Sequence, residues 1–257
     1  MSEHIRTSQA GAVLSITINR PDKKNALTRS IYDSFAAAIR AADQDTTVSV
    51  ICITGAEGAF SSGNDIQDFE THPPTVGGQS GPGGLFAALR SAEKPVVAAV
   101  NGIAVGIGTT LLLHCDLVYA AASARFRLPF VGLGLVPEGG ATYLLPRLLG
   151  IRRASELLFF GDWFDAQKAL SWGLVNDVFE DAELLVKVQA QADLLARQPA
   201  RLLRLTKQLM KQSPNSLEER IDEEIDLIAR NIPLPEAREA FLALREKRPP
   251  DFGQFET

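Results

Sequence analysis

Two short runs constrain the fold of this chain more than any other feature. Val48–Thr54 (VSVICIT) and Val96–Val100 (VVAAV) are almost wholly apolar and rich in β-branched residues. A strand with one wet face alternates apolar and polar side chains, whereas a run apolar at nearly every position belongs to a strand covered on both faces. Asp116–Ala120 is a third such piece. Ahead of them, Ala12–Asn19 alternates with β-branched content until Pro21-Asp22 breaks it, which reads as a strand and a turn. Thr28 has the chemistry of a helix cap, and Ile31, Phe35, Ile39 and Ala42 then recur at near-helical spacing to about Asp45. Strand, helix and buried strand in succession indicate an α/β fold rather than a β-sandwich.

Beyond Gly150 the pattern becomes helical. Ile151–Phe160, Asp165–Trp172, Ala182–Ala196, Ala200–Lys211, Leu217–Ile232 and Glu236–Glu246 read as amphipathic helices punctuated by Gly or Pro. Gly77–Gly84 (GGQSGPGG), just after Pro73-Pro74, reads as a mobile loop, and the first residues, with His4, as a loose terminus. A length of 257 residues fits one large domain, or one with a small appendage.

Charge narrows the partners. Lys and Arg number 26 against 31 Asp and Glu, a net charge of −5. That balance opposes broad binding to nucleic acid or to an anionic membrane, although a local basic cluster still suits a small polyanion. Cys52 and Cys115 lie inside apolar runs, so buried thiols are expected rather than a disulfide, and Cys and His spacing builds no metal site. No stretch has the roughly 18 apolar residues of a spanning helix and the start lacks a signal-peptide pattern. A cytoplasmic location is expected.

Among candidate catalytic groups the histidines come first and carry little. His72 precedes the Pro-rich segment, and His114 cannot pair with Cys115 because adjacent helical residues do not face each other; a core or interface role fits His114 better. Gly58–Gly63 has the glycine spacing of a P-loop, but Asn64-Asp65 stands where Lys and Ser or Thr are needed. Two segments remain. Ala59–Ile66 (AFSSGNDI) follows a buried strand and turns sharply at Gly63, so it can leave backbone N–H groups pointing into a cleft. Asn101–Thr110 (NGIAVGIGTT) leaves the next buried strand for a helix, whose start offers more free donors; Gly102, Gly106 and Gly108 would let backbone approach a ligand closely.

Taken together, Phe60-Ser61-Ser62-Gly63-Asn64-Asp65 and Asn101-Gly102-Ile103-Ala104-Val105-Gly106 resemble the F-x-x-G-x-D and N-G-x-A-x-G patterns of the crotonase, or enoyl-CoA hydratase/isomerase, superfamily. Asn19-Arg20-Pro21, Asn25-Ala26-Leu27, Gly161, Ala166, Gly173-Leu174-Val175, Phe241 and Pro250-Asp251-Phe252 extend the resemblance over nearly the whole chain. It implies a spiral of ββα repeats, residues 1–195, with the acyl-CoA site, followed by a C-terminal helical trimerisation region, residues 196–257, in a homotrimer or hexamer. It also implies an acyl-CoA thioester substrate, no separate cofactor, and an oxyanion hole made by the backbone N–H groups of Asn64 and Ile107. Lys24, Ala26, Leu27, Ser62, Asp65 and Ile66 are the implied CoA contacts, and Gly106, Phe130 and Pro137 are further implied CoA or substrate contacts. Arg20, Lys23 and Lys24, with Arg245, Lys247 and Arg248, are the basic residues at hand for phosphates.

The reaction turns on acid and base groups. At the two positions where hydratases of this superfamily carry carboxylates, this chain has Thr110 and Phe130, neither of which is a general acid or base near neutrality. Eight residues on, Pro137-Glu138-Gly139 resembles the P-E-G that carries the base of its single-glutamate 3,2-enoyl-CoA isomerases. Read alone, Glu138 is a common ornament of a helix start. With the resemblance, it is the expected catalytic residue of an enoyl-CoA delta isomerase. Phe130, Leu133, Leu135 and Val136 are expected to make its surroundings apolar and raise its pKa, against the opposite pull of the helix start. Another crotonase reaction such as hydration, or a catalytically silent acyl-CoA-binding oligomer, are the alternatives.

Overall fold

The computed structural model describes residues 3–75, 77–214 and 216–255. Its strands are β1 (Ile5–Ala10), β2 (Val13–Ile18), β3 (Val50–Gly55), β4 (Ala59–Ser61), β5 (Val96–Val100), β6 (Ile103–Val105), β7 (Leu117–Ala121), β8 (Arg125–Arg127), β9 (Phe164–Asp165) and β10 (Asp177–Phe179). The α-helices are α1 (Arg29–Gln44), α2 (Ile66–Thr71), α3 (Gly81–Ser91), α4 (Ile107–Thr110), α5 (Ala141–Leu149), α6 (Ile151–Phe160), α7 (Ala166–Ser171), α8 (Leu184–Ala196), α9 (Ala200–Lys211), α10 (Leu217–Asn231) and α11 (Pro235–Glu246).

The strands fall into two sheets, one in the order β1-β2-β3-β5-β7-β10 and one in the order β4-β6-β8-β9. Successive pairs split between them: β3, β5 and β7 run parallel in the larger sheet, while their followers β4, β6 and β8 run parallel in the smaller. This is a ββα repeat, and it brings the turns after β4 and β6 together. Every residue of β5 is buried, as the unbroken apolar run requires, and α1 and α8 both pack against β2 and β3. The Thr28 hydroxyl accepts the Ile31 N–H, and the face made by Ile31, Phe35, Ile39 and Ala42 is buried. Filling the core with a side chain such as Phe35 contributes roughly 2–3 kcal/mol.

Several expectations are corrected. From His4 onward the start of the chain is not loose: β1 pairs antiparallel with β2 from Ile5–Ile18 to Ala10–Val13, and the His4 ring bonds the Asn19 carbonyl, while Met1 and Ser2 lie outside the described residues. Only Ile5 of β1 is buried, so this edge strand shows no hydrophobic pattern to read. The Gly-rich segment becomes helical from Gly81, because Pro82 suits a first turn and Leu85, Ala88 and Leu89 bury against the molecule. The Arg29 guanidinium donates to Ser80 Oγ, and the Gly81 N–H donates to Asp33, which tie this segment to α1. The chain beyond Gly150 is not wholly helical, since β9 and β10 are short strands within it. After Ala196 only α-helices and one short 3-10 turn are described, and no described helix is long and apolar enough to cross a membrane.

Candidate active site

Four segments meet at the site. In the first, the chain leaves β2 through a turn in which Lys24 and Asn25 are both left-handed, with φ of 50° and 58°. Asn25 is wholly buried: its Oδ1 accepts from the Arg20 N–H, and its Nδ2 donates to the carbonyls of Ala56 and Ala59. That knot sets Leu27 against the second segment, where the Leu27 N–H donates to Gly63 O and the Asp65 N–H to Leu27 O. The Asn64 N–H between them takes no part in this bridge and has no partner among the described residues. Gly63 must be glycine, since φ is +93° and a Cβ would stand 2.7 Å from the Val105 carbonyl oxygen.

The third segment brings β6 to Gly106 and then Ile107, the first residue of α4, whose N–H has no preceding helical carbonyl to bond. The glycines here serve the protein more than a ligand. The places of absent side chains at Gly102 and Gly108 are taken by the carbonyl oxygens of Gly58 and Ser61, at 2.1 and 2.6 Å. Gly106 instead faces the tip of the Phe130 ring, 4.0 Å from where its Cβ would be. The expected single helix is a short α4 followed by a 3-10 turn at Leu111–His114.

The fourth segment runs from Phe130 to Gly140. Glu138 lies not at a helix start but in the turn before it; α5 begins at Ala141, whose N–H donates to the Glu138 carbonyl. The carboxyl Oε1 is buried with no hydrogen-bond partner among the described residues, as is Thr110 Oγ1. Burial alone pushes the Glu138 carboxyl up to about 7, which settles the direction that the sequence left open. The apolar surroundings differ from expectation: Phe130 is buried, but Leu133, Leu135 and Val136 are 57%, 43% and 83% exposed and cannot supply them.

Tyr32, which the sequence did not single out, reaches into this space. Its hydroxyl donates to Asn64 Oδ1 at 2.5 Å. Burial, then repulsion from Glu138 and Asp68, holds the phenol well above its usual range. It stands beside Ile31 on the buried face of α1, and a polar-tipped ring on such a face was the available signal. Leu27, Tyr32, Asn64 and Phe69 line a small cavity of about 30 Å³ there.

The residues expected at the CoA channel come together in part. The Ser62 N–H donates to the Lys24 carbonyl and its hydroxyl to that of Lys23, while Ala26 and Leu27 are buried, Ile66 is exposed and Pro137 is half-buried. Other side chains are already committed. Asp65 pairs with Arg20 at 2.7 Å and caps α2 through the Asp68 N–H, so neither Asp65 nor Arg20 is a free contact. Arg248 is likewise held by Glu239 at 2.6 Å and by Glu246 at 2.7 Å. Cys52 and Cys115 are free thiols, and among the described residues no three His, Cys, Asp or Glu side chains converge as a metal site.

A split ββα repeat of two sheets, with backbone N–H groups left over after two parallel strands, is the architecture of the crotonase fold. The family model described as enoyl-CoA hydratase/isomerase matches residues 8–255, and the chain belongs to that family. It is 35% identical to the 1,2-epoxyphenylacetyl-CoA isomerase of Escherichia coli (strain K12), over 98% of this chain and 99% of that one. It is 34% identical to enoyl-CoA delta isomerase 2 of Rattus norvegicus over 87% of its length, spanning 58% of that longer protein. A solved structure from Magnetospirillum magneticum AMB-1, provisionally described as an enoyl-CoA hydratase/carnithine racemase, superposes with a TM-score of 0.94 at 41% identity, over 98% of this chain and 99% of that one.

Proposed function

We propose that the protein is an enoyl-CoA delta isomerase. The observation that carries this reading is the buried, unpartnered carboxyl oxygen of Glu138, where the alternative acid and base positions hold Thr110 and Phe130. Isomerisation needs one carboxylate. Glu138 takes a proton from C2 of a 3-enoyl-CoA, and the electron pair moves into the thioester oxygen to form a dienolate. The N–H groups of Asn64 and Ile107 stabilise that oxygen, a device commonly worth about 3–4 kcal/mol per donor in the barrier. The same carboxyl returns the proton at C4, leaving the conjugated 2-enoyl-CoA. Atoms and charge balance with no water or separate cofactor, because CoA arrives as part of the substrate.

In this reading, backbone groups around Lys24, Ala26, Leu27, Ser62, Asp65 and Ile66 hold the CoA moiety, with the Lys24 ammonium near the phosphates. Gly106, Phe130 and Pro137 border the acyl group. The relatives carry both isomerase and hydratase names, and the residues at 110 and 130 favour the isomerase reading. The helices after residue 196 are proposed to assemble copies of the chain into a trimer or hexamer. Ile221, Ile225, Ile228 and Ile232 support this, since they form an exposed apolar stripe along α10 and its end, and no α10 residue is buried.

The test offers a 3-enoyl-CoA and a 2-enoyl-CoA to the protein and to Glu138→Gln. Conjugation without hydration, lost by about 10²–10⁴-fold in the variant, is the expected result. Dominant hydration, or a fully active variant, overturns the reading; binding of both thioesters without turnover favours a silent acyl-CoA binder.

A further inference from the structure

The turn that carries Glu138 is held from behind by a histidine with no part in the proton shuttle. His114 closes the 3-10 turn after α4, and its Nε2 lies 2.7 Å from the carbonyl oxygen of Gly139. A carbonyl only accepts, so Nε2 carries the hydrogen and Nδ1 the lone pair. Burial holds the imidazole below its usual range, which keeps it neutral near pH 7. Its ring packs on Phe86, with centroids 5.1 Å apart. Phe86 in turn fills the place of the side chain that Gly139 lacks: a Cβ there would lie 2.5 Å from the ring, at a φ of +62°. Gly139 is therefore gripped twice, at its carbonyl by His114 and at its Cα by Phe86. The neighbouring Glu138 carbonyl is taken by the Ala141 N–H, so the carbonyls of Glu138 and Gly139 are both held. His114, Phe86 and Gly139 also border a cavity of about 780 Å³, so this side of the turn is not filled by other packing.

We propose that His114 is a positioning residue for the base: its hydrogen bond to Gly139 holds the 137–140 turn so that one carboxylate reaches both C2 and C4 of the substrate. This rests on Glu138 as the base. A shuttle between two carbons tolerates little displacement, and a misplacement of about 1 Å can cost about 100-fold.

Two substitutions separate position from mere packing. The side-chain amide nitrogen of Gln extends about as far as Nε2, whereas that of Asn stops near Nδ1. His114→Asn is expected to lower kcat by about tenfold or more with KM changed less than about twofold, and His114→Gln to restore kcat to within about threefold. Phe86→Leu removes the ring from Gly139 and is expected to lower kcat without raising KM, giving the same test should the Asn variant not fold. Equal kcat in the Asn and Gln variants, or a loss confined to KM, overturns the inference. Glu138→Gln is run beside them: if it is inactive while His114→Asn is fully active, positioning alone fails, and if it is fully active, the base assignment fails and the positioning role with it.

Discussion

A carboxyl buried without a partner is costly to keep, and Glu138 is such a group. Its pKa of about 7 comes from loss of water and from no neighbouring charge. The sign for activity follows directly. A base must be deprotonated, so kcat/KM for isomerisation is expected to rise with pH through a midpoint of about 7, the value for the free enzyme. Because no ion pair sets that value, raising salt tenfold is expected to move the midpoint by less than about 0.3 unit; an activity flat from pH 5 to 8, or a strongly salt-dependent midpoint, counts against the assignment. Tyr32 adds a second residue-scale point. Its short bond to the Asn64 side chain ties a proposed oxyanion donor to α1, so the candidate site leans on a helix outside the proposed donor pair.

Among the elements, the connection between β2 and α1 matters most. Asn25 satisfies three backbone groups from inside the protein, and its removal would strand all three. Asn25→Ala is expected to cost about 3 kcal/mol, read from urea unfolding midpoints, and to lower activity because Leu27 loses its setting against Asn64; a loss under about 1 kcal/mol refutes this account. The legibility of the elements follows the same physics. Thr28 and the Ile31–Ala42 stripe were readable because a cap and a buried face agreed, and the limits of α6 and α9 because Gly or Pro punctuates an amphipathic run. β1 was not, since all but one of its residues face water, and β9 and β10 are too short to show a period. The start of α3 was hidden in GPGG, where local chemistry says loop and packing decides otherwise. In the site, the paired glycine motifs named the turns, and Pro137-Glu138-Gly139 pointed to the carboxyl proposed as the base. The bonds made by Tyr32, Asn25 and His114 stayed invisible because they reach distant residues, such as Asn64, Ala59 and Gly139.

For the molecule as a whole, α9 is locked on by Lys207, whose ammonium donates to the Lys94 carbonyl and to Asp116, both at 2.6 Å. α10 beyond it has no buried residue. If copies of the chain cover its isoleucine stripe, Ile225→Glu with Ile228→Glu is expected to yield monomers by light scattering; a monomeric unsubstituted protein sinks that proposal. The four segments of the site, around Leu27, Asn64, Ile107 and Glu138, lie far apart in sequence and meet only through sheets that pair β2 with β3 and β4 with β6. Such closures carry a loop-entropy cost that local helices do not. During refolding, helix signal therefore returns before activity does, because the last event to finish is the meeting of residues that began more than a hundred positions apart, from Leu27 to Glu138.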